Sequence, residues 1–260
     1  MAGCATGLLA LGAAALLGCR GSDEVSPAVL VDSVTYESGE QAQISLQASA
    51  DDALTTTDRE VREGVTAGVA LLREGDGQFR GDLGYRSEWQ SDFHAEEGHE
   101  YWYGISMYLP EDWDQGENTN FFDDRIIFQF HEGTGSSPAL SLHINADQGL
   151  FTVRRRANDH RDGDDFEYLG SMPFETERWY DFAFHIKWSQ DDDGFAHIFA
   201  DGEEVRDYEG PTLVDGESVY TKWGIYGQPT RILIDEVRIA EGGEGGLALV
   251  SPSDALASED

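Results

Sequence analysis

Two runs of alternating residues limit what this chain can fold into more than any other feature. They are Arg125-Ile126-Ile127-Phe128-Gln129-Phe130-His131 and Val219-Tyr220-Thr221-Lys222-Trp223-Gly224-Ile225-Tyr226-Gly227-Gln228. Successive side chains of an extended strand point to opposite faces, so Phe128 and Phe130 share one face while Gln129 and His131 share the other. In the second run Thr221, Trp223 and Ile225 make a mostly apolar face opposite Tyr220, Lys222, Tyr226 and Gln228. A third run, Tyr85-Arg86-Ser87-Glu88-Trp89, sets Arg86 and Glu88 on a common face with aromatic residues on the other. Strands of this kind laid side by side offer a guanidinium, an amide, an imidazole, an ammonium and two phenols to one cleft.

The same alternation predicts strands near residues 64–71, 85–93, 100–109, 125–131, 139–145, 150–156, 179–188, 195–200, 219–226 and 231–239. Gly, Asp, Asn or Pro clusters separate nearly all of them and mark turns. Asp191-Asp192-Asp193-Gly194 and Asp201-Gly202 sit where hairpin turns belong. No stretch sustains a helical period or an internal repeat. Many short strands at this spacing predict an all-β fold of two antiparallel sheets packed face to face, a sandwich or jelly roll. The chain of 260 residues is long enough for one large domain of this type.

The ends read differently. Residues 5–18 are small and apolar, too short to span a bilayer comfortably, and 1–18 read as a signal peptide. Leu16-Leu17-Gly18-Cys19 reads as a lipobox in which Cys19 becomes the lipidated first residue. The membrane is then reached only through an N-terminal lipid anchor, and the protein is placed outside the cytoplasm; a plain secretory signal or a short anchor is the alternative. Cys4 and Cys19 are the only cysteines, so a chain starting at Cys19 holds neither a disulfide nor a thiolate nucleophile. Residues 19–60 read as a flexible tether, with 28–34 and 42–46 as candidates for a short strand, and 243–260 as a disordered acidic tail. That leaves 61–242 for the domain.

The net charge of −34 is spread along most of the chain and serves solubility rather than fold, which reads as adaptation to high salt. It disfavours nucleic acid as a partner, since no basic stripe with interleaved aromatics appears. Arg154-Arg155-Arg156, with Arg161 nearby, is the one basic cluster. Alternation puts Arg154 and Arg156 on one face, where they either hold an entering polyanion or balance neighbouring acids.

Arg86-Ser87-Glu88, Gln129-Phe130-His131, Tyr220 to Gln228 and the closing strand Ile232-Leu233-Ile234-Asp235-Glu236-Val237-Arg238-Ile239 occur in that order. Together they resemble the β-jelly-roll polysaccharide lyases, nearest to the heparin lyase I and glucuronan lyase types. The short motifs are also similar to those of jelly-roll alginate lyases, whose second block reads Tyr-Phe-Lys-Ala-Gly-Val-Tyr-Asn-Gln. Trp223 stands where that block has Ala, and Gly227 where it has Asn. The resemblance covers roughly residues 65 to 242. It implies a concanavalin-like two-sheet sandwich, an acidic polysaccharide as substrate, a monomer and no required cofactor.

A polyuronate carries an acidic proton at C5 beside its carboxylate. Breaking the glycosidic bond at C4 by β-elimination calls for a neutralised carboxylate, a base for that proton and an acid for the leaving oxygen. Arg86 and Gln129 suit the first service, since a guanidinium or an amide hydrogen-bonds a carboxylate. His131 and Tyr226 are the natural base and acid, and Lys222 is placed to depress the phenol's pKa or to bind substrate charge. Tyr220, Gln228, Glu88, Arg154 and Arg156 fall to substrate binding, against the plainer reading in which Arg86 simply pairs with Glu88. His94, His99, His143, His160, His185 and His197 show no metal-ligand spacing, so no metal is assigned. An Asp-rich turn is able to hold a structural calcium ion, although most such turns are merely solvated.

Two rival classes use the same sandwich. A retaining glycoside hydrolase needs two carboxylates about 5–5.5 Å apart, whereas the adjacent Asp235 and Glu236 point to opposite faces. A lectin-like module needs aromatics on the face and nothing that requires Gln129, His131 and Tyr226 together.

Overall fold

The alternating runs become antiparallel strands in the computed structural model, which describes residues 26–37, 44–81, 84–117, 125–132, 137–157 and 165–254. In chain order they are β1 (Val29–Val34), β2 (Ile44–Ala48), β3 (Leu54–Thr57), β4 (Ala67–Leu72), β5 (Arg86–Ser91), β6 (Ala95–Glu96), β7 (Glu100–Tyr108) and β8 (Arg125–His131). There follow β9 (Leu140–Asn145), β10 (Leu150–Arg156), β11 (Phe166–Pro173), β12 (Trp179–Lys187), β13 (Phe195–Ala200), β14 (Glu203–Glu209), β15 (Ser218–Gly227) and β16 (Thr230–Glu241). A short helix, α1 (Gly246–Val250), closes the described chain.

Two sheets result. The back sheet runs β14-β13-β12-β7-β16-β4-β3, with β1 also on β16; the site sheet runs β11-β10-β9-β8-β15-β5-β2, with β6 on β15. Apolar side chains from both fill the space between them. Phe128 and Phe130 of β8 meet Phe184 of β12 at ring separations of 5.7 and 5.3 Å, and Phe130 meets Tyr103 of β7 at 4.9 Å. Two indole N–H groups inside this layer find hydroxyl partners. Trp188 Nε1 donates to the Tyr103 hydroxyl at 2.8 Å, and Trp223 Nε1 donates to the Tyr36 hydroxyl at 2.8 Å.

The domain is longer at both ends than the composition suggests. Within the expected tether, β1 and β3 extend the back sheet and β2 forms an edge of the site sheet. Val29 and Leu46 stay exposed at 62% and 59%. Edge strands need only one covered face and tolerate polar sequence, so these resemble a linker in composition. Within the expected disordered tail, α1 covers a patch of the back sheet formed by Trp102, Ala183 and Ala240, and its Val250 is 1% exposed. Trp102 Nε1 donates to the Gly243 carbonyl at 2.9 Å, and Arg238 Nη1 donates to the Ser251 carbonyl at 2.9 Å. The apolar run Leu247-Ala248-Leu249-Val250 was masked by its Gly-rich and acidic surroundings. Cys4 and Cys19, with the leader and the proposed lipid site, lie outside the described residues, as do His160, Arg161 and 255–260.

Truncation after Gly242 should therefore expose Trp102 and remove the burial of Val250. A fully buried large apolar side chain is worth about 1.5–3 kcal/mol, and each kcal/mol moves Tm by about 2–4 °C in a domain of this size. Thermal unfolding followed by circular dichroism should show a loss of roughly 5 °C, and an unchanged Tm would make α1 an ornament.

Candidate functional site

Because Phe128 and Phe130 are committed to the core, Gln129 and His131 must stand on the open face of β8. Register does the rest. On β15, Tyr220 lies opposite His131 and Lys222 opposite Gln129. On the other flank of β15, Lys222 faces Gln90, Gly224 faces Glu88 and Tyr226 faces Arg86 of β5. The open face thus gathers Arg86, Glu88, Gln129, His131, Tyr220, Lys222 and Tyr226 on three adjacent strands.

One glycine makes the centre of this face possible. β15 bulges between Trp223 and Tyr226, and Gly224 there has φ 128°. A Cβ at Gly224 would sit 2.2 Å from the Ser87 carbonyl oxygen, so only glycine fits. With no side chain on Gly224, Glu88 reaches across β15 and its Oε1 accepts a hydrogen bond from Gln129 Nε2. Arg86 Nη1 stands 3.5 Å from Glu88 Oε2, and its guanidinium lies 4.6 Å from the centre of the Tyr226 ring. Arg86 Nη1 also donates to Gln47 Oε1 of β2 at 2.7 Å, and Lys222 Nζ approaches the same oxygen at 3.4 Å. Gln47 Nε2 in turn donates to Gln90 Oε1 at 2.7 Å. The His131 ring stacks on Tyr220 at 5.4 Å and 20°, and Tyr220 also meets the His94 ring at 5.4 Å.

Burial tunes these groups. It pushes the His131 imidazole down to about 4, helped by the charges of Lys222, Arg156 and Arg86, so the ring is neutral near pH 7. It raises the Tyr226 phenol above its ordinary value, with Arg86 pulling the other way, so the hydroxyl keeps its proton. It raises the Glu88 carboxyl against the opposing pull of Lys222, Arg86 and the Gln129 hydrogen bond. It lowers the Lys222 ammonium, which Glu88 supports. A neutral base, a neutral acid, two cations and an amide share one face.

Several expected roles change. Arg156 does not face the groove as a free cation: it is buried against Glu132 and lies 3.0 Å from Asp215. Glu132 also accepts the Val214 and Asp215 backbone N–H groups at 2.9 and 3.3 Å, so the cluster ties a loop to the sheet. Glu88 is 2% exposed and lies beneath the groups it was expected to join as a substrate contact. Lys222 sits over Tyr220, with Nζ 5.6 Å from the ring centre, and the cation acting on Tyr226 is Arg86. Arg154 and Gln228 do share a hollow of about 340 Å³, together with Arg125, Asn145, Asp147 and Glu117.

Gln47, Gln90 and Arg125 were missed. Gln90 continues the alternation of Arg86 and Glu88 by one step and was legible there. Gln47 lies one residue beyond the candidate strand at 42–46, in the stretch that reads as tether. Arg125 opens β8, where a bulge between Ile126 and Phe128 breaks the strict alternation. The histidines assigned no chemistry are mostly remote. His197 is drawn to Asp207 and Glu209 at 3.2 and 3.3 Å on the back sheet, residues too far apart in sequence to show as a ligand spacing.

A two-sheet antiparallel sandwich of jelly-roll type carries this set on the open face of one sheet. Residues 32–238 match the polysaccharide lyase family, and the chain belongs to it. The solved structure of an endo-β-1,4-glucuronan lyase from the fungus Trichoderma reesei is similar, with a TM-score of 0.63 and 20% identity over 88% of this chain and 98% of that one. The catalytic domain of a glycoside hydrolase family 131 protein from Coprinopsis cinerea is similar at 0.53 and 12% identity, over 81% of this chain and 85% of that one. The globular domain of T. cruzi calreticulin is similar at 0.56 and 9%, over 88% and 94%. No curated protein matches the sequence. Proteins of such different names share the sandwich, so the fold leaves the chemistry to family membership and to the site.

The depressed His131 pKa carries a sign that can be tested. Above pH 6.5 the imidazole is neutral whether folded or unfolded; below it the unfolded chain binds a proton that the folded site refuses down to about 4. Folded stability should therefore fall as pH drops through that window, and His131→Gln should flatten part of the slope. Urea midpoints of both proteins at several pH values between 7 and about 4 check this; parallel curves would mean that the ring titrates normally.

Proposed function

We propose that this polysaccharide lyase cleaves a uronic-acid-containing polysaccharide by β-elimination, leaving unsaturated uronate ends. The observation that carries the reading is the grouping of Arg86, Lys222 and Gln129 beside a neutral imidazole and a neutral phenol on one open face. The cations and the amide take the uronate carboxylate and stabilise the charge that develops as the C5 proton leaves. His131, uncharged and basic at neutral pH, accepts that proton. Tyr226, still protonated and held against Arg86, gives its proton to the leaving oxygen. Where the departing groups lie on the same side of the ring, Tyr226 performs both transfers and His131 orients the carboxylate beside Gln129.

The hydrolase alternative is weakened by the placement of its candidate acids. Asp235 accepts backbone N–H groups of Arg62 and Glu236 at 3.0 and 2.9 Å, while Glu236 pairs with Arg238, all on the back sheet. The glucuronan lyase of like fold makes glucuronan the first polymer to try, with alginate and heparin-like chains beside it. We place the enzyme outside the cytoplasm on the strength of the leader-like segment ending at Cys19.

Tyr226→Phe removes one hydroxyl and should lower kcat by roughly 10²–10⁴-fold. His131→Ala should lose a similar factor if the imidazole is the base, and much less if it orients. Ultraviolet absorbance of the unsaturated product on a polyuronate panel reads both. Reducing ends without that absorbance mean hydrolysis, an unchanged polymer means a binding module, and a folded Tyr226→Phe with wild-type turnover removes Tyr226 from the mechanism.

The charge of −34 repels a polyanion, and salt shortens that repulsion from about 10 Å at 0.1 M to about 3 Å at 1 M. Turnover on the polymer should rise with salt toward molar. A steady fall over that range, with the fold intact, would oppose the high-salt reading.

A further inference from the structure

The buried carboxylate of Glu88 is an odd thing to find among groups that neutralise a carboxylate. It is 2% exposed, too deep for a direct role as a substrate contact. Its Oε1 takes the Gln129 amide, but its Oε2 is buried and accepts no hydrogen bond among the described residues. The Arg86 Nη1 atom 3.5 Å from that oxygen is beyond ordinary hydrogen-bond length. Two cations, Arg86 and Lys222, thus face one internal carboxylate. The excess positive charge draws an anion to the face, yet a docked substrate carboxylate becomes a second acid on the same three partners. Like charges sharing one set of partners do not both stay ionised easily.

Building on the lyase reading, we infer that Glu88 is a positioning residue that takes one proton from solvent onto Oε2 when the uronate carboxylate docks. An O–H bond forms on Glu88, Arg86 and Lys222 pass to the substrate, and the proton returns to solvent when product leaves. The bare oxygen is where that proton fits, and the Oε1 bond to Gln129 survives the change, so the amide keeps its aim. Burial already tilts Glu88 toward the protonated form.

The other titratable groups around it are few. Arg86 on β5 contributes a guanidinium, and burial raises the phenols of Tyr220 and Tyr226 on β15, which keep their protons. Gln129 on β8 and Gln47 on β2 do not titrate. Lys222 on β15 is a cation that Glu88 supports, and His131 on β8 is the other base able to accept a proton.

Calorimetry on the slow Tyr226→Phe protein, with a glucuronan oligosaccharide and in parallel an alginate oligosaccharide as probes, tests this at neutral pH. Binding heats in buffers of different ionisation enthalpy count the protons exchanged. About one proton should be taken up in Tyr226→Phe and in Tyr226→Phe with His131→Gln, and none in Tyr226→Phe with Glu88→Gln. In otherwise wild-type enzyme KM should rise by up to about tenfold per pH unit on the alkaline side, and Glu88→Gln should make it flat; a purely structural Glu88 would move neither. Zero uptake in the parent overturns the inference even if Glu88→Gln does not fold, and so does uptake that persists without Glu88. Failure of a folded parent to bind either probe overturns the uronate reading itself, and the inference with it.

Discussion

The aromatic wedge of β8 fixes everything on the open face. Phe128 and Phe130 are buried against the rings of the back sheet, Phe130 edge-on to Tyr103 and Phe184 and Phe128 tilted on Phe184. A slip of one residue would bring both into solvent and drive Gln129 and His131 into the core. Truncation of a buried Phe typically costs about 3–5 kcal/mol, so the penalty for a wrong register is of the order of the whole stability of a domain. The site is therefore specified by residues that never touch its contents. Lys222 and Tyr220 are then placed by ladder hydrogen bonds to a strand whose facing is already decided.

Two charge clusters on the site sheet look alike in sequence and differ in kind. Around Arg156, Glu132 and Asp215 supply more negative than positive charge, and backbone N–H groups hold Glu132 as well. Nothing there is left to attract an anion, and breaking the group would strand a buried charge. Around Glu88 the balance is reversed, with Arg86 and Lys222 against a single carboxylate. The surplus lies at the open face of a protein that is acidic overall. On the proposed uronate reading, a local positive well in a repelling surface would admit an acidic polymer at one place.

Alternation carried much of the fold and most of the site because both are written at period two. β8, β10 and β13 run between the residues expected, and the open face holds Arg86, Gln129, His131, Lys222 and Tyr226 together. Alternation is silent where strands are edges or where partners are distant in sequence. β14, all but one of whose residues are exposed, is a run of charges broken only by Val205 and Tyr208. β11 carries Gly170 and ends in Pro173, as edge strands tolerate. The candidate strand at 42–46 stops one residue short of Gln47, which β2 includes. Arg156 was legible as a residue on the groove side, but Glu132 and Asp215, which occupy it, lie 24 and 59 residues away in sequence. Period two says which way a side chain points, not what already waits there.

The two ends of the described chain are knotted to each other. Ala28 N–H donates to the Glu244 carbonyl at 2.8 Å, and the Gly243 and Glu244 N–H groups donate to the Ser26 carbonyl at 3.1 and 3.2 Å. β1 and α1 both rest on β16 of the back sheet. A module joined at either end would leave the domain from one shared corner of the sheet that carries no site. The opposite face keeps its full width, and a polymer lying on it would not have to pass either terminus.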